Sequence, residues 1–128
     1  MARLSEQERA RRAREAVRGW ERHPKRSELP QEVRRLPSRI LASGLGQTLA
    51  FYASKGDEEV EAAVGAELAR FLIDKPRCVD LLDHVATRCD LAEYRRLTRE
   101  ALAYAEWLKR YAAALLPKSE EGRSAGRS

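Results

Sequence analysis

Residues 90–117, DLAEYRRLTREALAYAEWLKRYAAALLP, decide the fold. Asp90 with Glu93 three positions on is a helix-starting pair, because a short carboxylate accepts from an unpaired first-turn amide and a second acid suits the positive helix end. Tyr94, Leu97, Ala101, Tyr104, Ala105, Leu108, Tyr111, Ala112 and Leu115 follow at helical spacing. At about 100° per residue they form one broad apolar face. The helix runs to about Leu116, ahead of Pro117. A face this wide has to be covered by other helices.

The rest of the chain supplies them. Ser5 with Glu8 reads as a capping box that opens a helix to about Arg22, ahead of Pro24. Its apolar side is Ala10, Ala13, Val17 and Trp20, with Arg11, Arg18 and Arg22 opposite. Leu29, Val33, Leu36 and Ile40 mark a second helix, which Pro37 should kink because its ring clashes with the carbonyl four residues back. Ser43-Gly44 interrupts that run, and Leu45, Leu49 and Tyr52 mark a short third helix closed by Gly56. Asp57 is positioned to cap a fourth, with Val60, Val64, Leu68, Phe71 and Leu72 as its core side, ending before Pro76. A short helix around Val79–Val85 completes the set. Nothing alternates like a strand. The expected fold is all-α, a single-domain bundle of about six helices over residues 1–117 with a long C-terminal helix. Residues 118–128, KSEEGRSAGRS, have nothing apolar to bury and are expected to be a disordered basic tail.

Composition sets the function class. In 128 residues, 35% are charged and 43% hydrophobic, which excludes collagen-like, mucin-like and wholly disordered chains. No apolar run approaches the ~20 residues of a membrane helix and no hydrophobic leader is visible, so a cytoplasmic protein without membrane partners is expected. The net charge is +5 and unevenly spread. Residues 1–39 carry 12 basic and 6 acidic side chains, residues 40–89 carry 5 and 8, and residues 90–128 carry 8 and 6. Basic ends around an acidic middle make a polyanion partner plausible, and the predominance of Arg over Lys suits phosphate.

Catalytic chemistry has little to stand on. His23 and His84 have no Ser/His/Asp or Cys/His constellation around them, and Gly44-Leu45-Gly46 lacks the Gly-Lys-Ser/Thr of a phosphate loop. No enzyme activity and no cofactor are expected. Cys78 and Cys89 are too few for a disulfide framework, and with His84 they match no zinc spacing, so no metal site is expected and the thiols read as small buried groups.

Binding chemistry is better served. Arg95, Arg99 and Arg110 fall within roughly 60° of one another on the long helix, opposite its apolar face, with Arg96 and Lys109 alongside. Guanidinium groups so spaced can meet successive backbone phosphates. The other reading of this face is a solvated surface, with Arg96–Glu100 and Glu106–Arg110 paired one turn apart. Trp107 lies on the flank of the apolar face, where it either contacts another protein or packs against the chain's own helices.

Two motifs are more specific. Residues 44–55, GLGQTLAFYASK, and 94–111, YRRLTREALAYAEWLKRY, closely resemble the small helical subunit of the Cmr complex, the type III-B CRISPR effector that silences RNA. The resemblance extends more weakly from the first helix to Leu116. It implies a non-catalytic ribonucleoprotein subunit that stacks with sister copies opposite a backbone-subunit filament, beside a large subunit. Together these would hold the CRISPR RNA and its target RNA. By position it assigns Lys55, Lys109 and Arg110 to RNA binding, to which the helix-face spacing adds Arg95 and Arg99; Gln47 and Trp107 are the candidates for subunit contact. Gln47 and Thr48 either satisfy amides at the glycine turn or face a neighbour. The Arg-rich first helix is more charged than the family pattern. Other classes that fit a basic helical chain are a helix-turn-helix DNA-binding regulator and a purely structural adaptor. The regulator is disfavoured because Leu45–Tyr52 offers almost no polar base readers beyond Gln47.

Overall fold

The computed structural model describes residues 5–118. It is all-α: α1 (Glu6–Trp20), a 3-10 turn (Arg26–Glu28), α2 (Leu29–Ala53), α3 (Val60–Ile73), α4 (Cys78–Thr87) and α5 (Leu91–Leu115). Most of the expected tail lies outside the described residues. The two predicted capping pairs form, with Ser5 Oγ accepting from the Glu8 amide at 3.1 Å and Asp90 Oδ1 from the Glu93 amide at 2.8 Å.

Helix α2 breaks where the sequence places an interruption, at Ser43-Gly44. Pro37 sits inside it, yet the residue whose dihedrals leave the helical region is Gly44, at φ 85° and ψ 159°. Proline removes one hydrogen bond and bends a helix; a positive φ redirects the chain, and glycine adopts it without a Cβ clash. The arms 29–43 and 45–53 therefore fold back on each other. Tyr52 Oη donates to Glu32 Oε2 at 2.9 Å and the Arg39 guanidinium lies 4.7 Å from the Phe51 ring centre. In a straight helix residues 32 and 52 would stand ~30 Å apart. With the arms counted separately, the helices number six.

Two smaller expectations fail at the next junction. Helix α2 ends at Ala53, before Gly56, where the Ser54 hydroxyl turns back to the Phe51 carbonyl at 2.7 Å. Helix α3 starts at Val60 behind an extended Glu59 with no side-chain cap, so Asp57 caps nothing. Asp57 lies too far upstream of the first helical residue to reach its amides.

Helix α5 packs along α1 and α2, while α3 and α4 pack against α2. The core contains Leu36, Leu45, Leu49, Leu68, Leu97, Leu108, Tyr52 and Tyr104, none with measurable exposure. Helices α2, α3 and α4 meet tightly at Gly65, where a Cβ would fall 2.7 Å from Cys78 Sγ and 2.9 Å from Tyr52 Cβ. Phe71 of α3 stacks on Tyr104 of α5 with ring centres 3.7 Å apart, and the Arg12 guanidinium of α1 covers Phe71 at 5.0 Å.

Glu67 sits in this core. Its Oε2 accepts from the Tyr104 hydroxyl at 2.7 Å, and Arg70 Nε lies 3.3 Å from its Oε1. Burial pushes its carboxyl above the ordinary glutamate value of 4.5, and Tyr104, Arg70 and Arg12 offset only part of that. The folded chain thus holds this proton more tightly than the unfolded one. Stability falls as pH rises from the ordinary value through the raised one. Glu67→Gln keeps an acceptor for Tyr104 without a charge. Thermal melts across this window should show wild type losing more stability with rising pH than the variant. Equal slopes would mean that Glu67 does not carry the effect.

Candidate nucleic-acid interface

The charged side chains divide into those tied up inside the fold and those left outside. Arg9, with 9% exposure, faces α5 and forms a two-pronged bond with Glu100, Nε to Oε2 at 3.1 Å and Nη2 to Oε1 at 2.9 Å. Arg39 does the same with the buried Glu32, at 2.9 and 3.1 Å. Both guanidiniums have raised pKa values, chiefly because of these hydrogen bonds. Glu100 is therefore not the partner of Arg96, which instead meets Glu93 at 3.3 Å. The expected Glu106–Arg110 pair is also replaced, by Glu106–Lys109 at 2.9 Å. Contacts three residues apart satisfy these short-range pairs, and the α1–α5 packing claims Glu100.

Arg95, Arg99 and Arg110 are left exposed on α5 and have no carboxylate partner among the described residues. At 1.5 Å rise per residue the row spans about 22 Å. Lys109 stands beside it, half-buried. Arg34, an exposed side chain of α2, joins Lys109 and Arg110 in lining an open groove of about 550 Å³ with Ala113 and Ala114. The sequence reading missed Arg34. Its exposure is visible in the periodicity of α2, but its place beside Arg110 depends on how α2 crosses α5. Lys55 is exposed beyond the second arm of α2, its Nζ 4.8 Å from the Phe51 ring centre, on a different element from the row.

Trp107 has an intramolecular partner. Its Nε1 donates to Glu6 Oε1 at 3.2 Å, and it packs at the α1–α5 seam beside Tyr111. Gln47 is exposed. The turn amide of Gly46 is satisfied by Tyr94 Oη of α5 at 3.0 Å, and the Thr48 hydroxyl donates to the Gly44 carbonyl at 2.9 Å. Gln47 is thus free of the turn chemistry. Cys78 is buried, its thiol pushed up to about 11 by desolvation, which keeps it protonated and unreactive.

The family model described as CRISPR-associated protein (Cas_Cmr5) matches residues 5–115, nearly the whole described chain. The chain belongs to the Cmr5 family. A curated relative, the CRISPR system Cmr subunit Cmr5 of Thermus thermophilus, is 40% identical over 107 residues, covering 84% of this chain and 91% of the relative. The crystal structure of a CRISPR-associated Cmr5 family protein from the same organism superposes with a TM-score of 0.76 at 36% identity, covering 88% of this chain and 98% of the other. Both sequence motifs lie inside the matched range, 44–55 running through the second arm of α2 into the turn after it and 94–111 filling most of α5. The Cmr5 fold thus turns the two motifs toward each other, joined by Tyr94 on Gly46. Among the described residues no helix is long and apolar enough to cross a membrane.

Proposed function

We propose that this Cmr5 protein is a non-catalytic, cytoplasmic subunit of the type III-B CRISPR effector. It stacks with sister copies beside the backbone and large subunits, and its α5 face holds the duplex of CRISPR RNA and target RNA. One observation carries the reading. The fold pairs Arg9 and Arg39, which face its interior, and leaves Arg95, Arg99 and Arg110 in one row with no carboxylate partner among the described residues. A desolvated arginine is stable only with its carboxylate, whereas an exposed row remains available to phosphates. Arg34, Lys109 and Lys55 would extend that positive surface.

Subunit contact is assigned to Gln47 and Trp107, and two further side chains support a contact near Gln47. Leu41 is 74% exposed and Leu91 63% exposed. Leu41 stands three residues before the Gly44 turn and Leu91 three residues before Tyr94, whose hydroxyl meets that turn at Gly46. Large apolar groups exposed on both sides of a junction favour burial against another surface.

The test uses the assembled complex carrying Arg95→Ala, Arg99→Ala and Arg110→Ala together. RNA affinity should fall equally for unrelated sequences, since phosphate contacts carry no base information. The slope of log affinity against log salt should shrink by about 2–3, near one per lost phosphate contact. Normal assembly with an unchanged slope would remove RNA from this face. Failure to assemble would favour the structural-adaptor reading, in which the row meets acidic surfaces of neighbouring subunits.

A further inference from the structure

The junction of α4 and α5 gathers three donors that the RNA reading does not use. His84 lies on α4, Cys89 in the connection, and Glu93 in the first turn of α5. One ligand atom from each lies within 4.8 Å of the other two. His84 Nε2 is 3.3 Å from Glu93 Oε2, and Cys89 Sγ is 3.6 Å from that same oxygen. Zinc bond lengths of about 2.0–2.1 Å to nitrogen, 2.0–2.2 Å to oxygen and 2.3 Å to sulfur, set at tetrahedral angles, require a nitrogen–oxygen edge of about 3.4 Å and a sulfur–oxygen edge of about 3.6 Å. The two measured edges match both. His84 Nε2 is buried and, though close to Glu93, makes no hydrogen bond among the described residues. A buried nitrogen without a hydrogen bond, with a carboxylate and a thiol at ligand spacing, suits a bound cation.

We propose that His84, Cys89 and Glu93 form a binding site for a divalent zinc-like cation, with its fourth position open to water. Imidazole and thiolate select a borderline-soft metal over magnesium or calcium. On coordination the Cys89 thiol proton passes to solvent. His84 also lines a cleft of about 730 Å³ with Asp80, Asp83, Lys75 and Arg88. The sequence reading missed the set because it grouped His84 with both cysteines. Cys78 is turned into the core, its Sγ 3.5 Å from the Leu49 carbonyl, and Glu93 takes its place as a donor. Bound metal would clip the end of α4 to the start of α5, across a ten-residue span.

The experiment is a titration of the full chain, reduced and freed of metal, with Co²⁺ and then Zn²⁺ as the only added ions. One equivalent of Co²⁺ should produce a thiolate-to-cobalt charge-transfer band, which Zn²⁺ then displaces. Cys89→Ser should abolish the band, and His84→Ala and Glu93→Gln should each weaken Zn²⁺ binding at least about 100-fold, since even groups behind a ligand are worth 10–100-fold. Cys78→Ser should change neither. Circular dichroism of each metal-free variant confirms that the helices are intact. Absence of a saturable one-equivalent site, or a band that survives Cys89→Ser, would overturn the proposal. Neither result bears on RNA binding.

Discussion

Replacing Arg9 with Met is expected to lower stability by about 2–3 kcal/mol, although the residue lies in a helix that reads as a charged surface. Methionine keeps the aliphatic stem that packs on α5, so the loss isolates the guanidinium. What remains is Glu100, whose side chain is only 14% exposed and whose cationic partner came from 91 residues away. An uncompensated buried carboxylate typically costs about 3–5 kcal/mol, and the thin contact of this pair with water places the expectation below that range. Denaturant unfolding of Arg9→Met, Glu100→Met and the double variant forms the decisive cycle. The double variant should recover much of the loss, because it buries no charge. A single-variant loss under about 0.5 kcal/mol, typical of exposed pairs, would show that the bond is a surface contact.

Gly44→Ala should cost about 2 kcal/mol, while Gly46→Ala, the same change two residues on, should be close to neutral. At φ 85° and ψ 159° Gly44 occupies a region essentially closed to residues with a Cβ, where strain amounts to about 1–3 kcal/mol. The added methyl would also stand 3.4 Å from Tyr94 Oη, the group that accepts the Gly46 amide. At Gly46 the φ is not positive, and a Cβ would meet Tyr94 Oη at 3.7 Å and Val85 at 3.9 Å, ordinary contacts. Alanine there has the better helix propensity. Thermal unfolding of the two variants side by side checks the contrast. Equal losses would mean that general crowding, and not the backbone angle, makes the turn depend on glycine.

The amino-acid order by itself determined the helices, most of their ends and the side each one buries. Ala13, Val17 and Trp20 of α1, and Leu97, Ala101, Tyr104 and Leu108 of α5, are buried as their spacing predicts. The motifs at 44–55 and 94–111 also carried the family. These properties are local: a 3.6-residue period, a capping hydroxyl or carboxylate, and a proline or glycine act within a turn or two of where they stand. The partners of the charges were decided only by the tertiary structure. Spacing puts Arg9 on the side of Ala13 and Trp20 and Arg11 on the opposite side, but only packing gives Arg9 its carboxylate, Glu100, 91 residues away, while Arg11 stays exposed beside Glu8 and Glu15. Likewise, no spacing rule brings Arg34 to Lys109 and Arg110, or tells Cys89 from Cys78 as the thiol that meets His84. A charged side chain takes the counter-charge that packing brings within reach. Which helices cross, and at which turn, is fixed by how their apolar faces fit together, a long-range condition that no stretch of sequence contains alone.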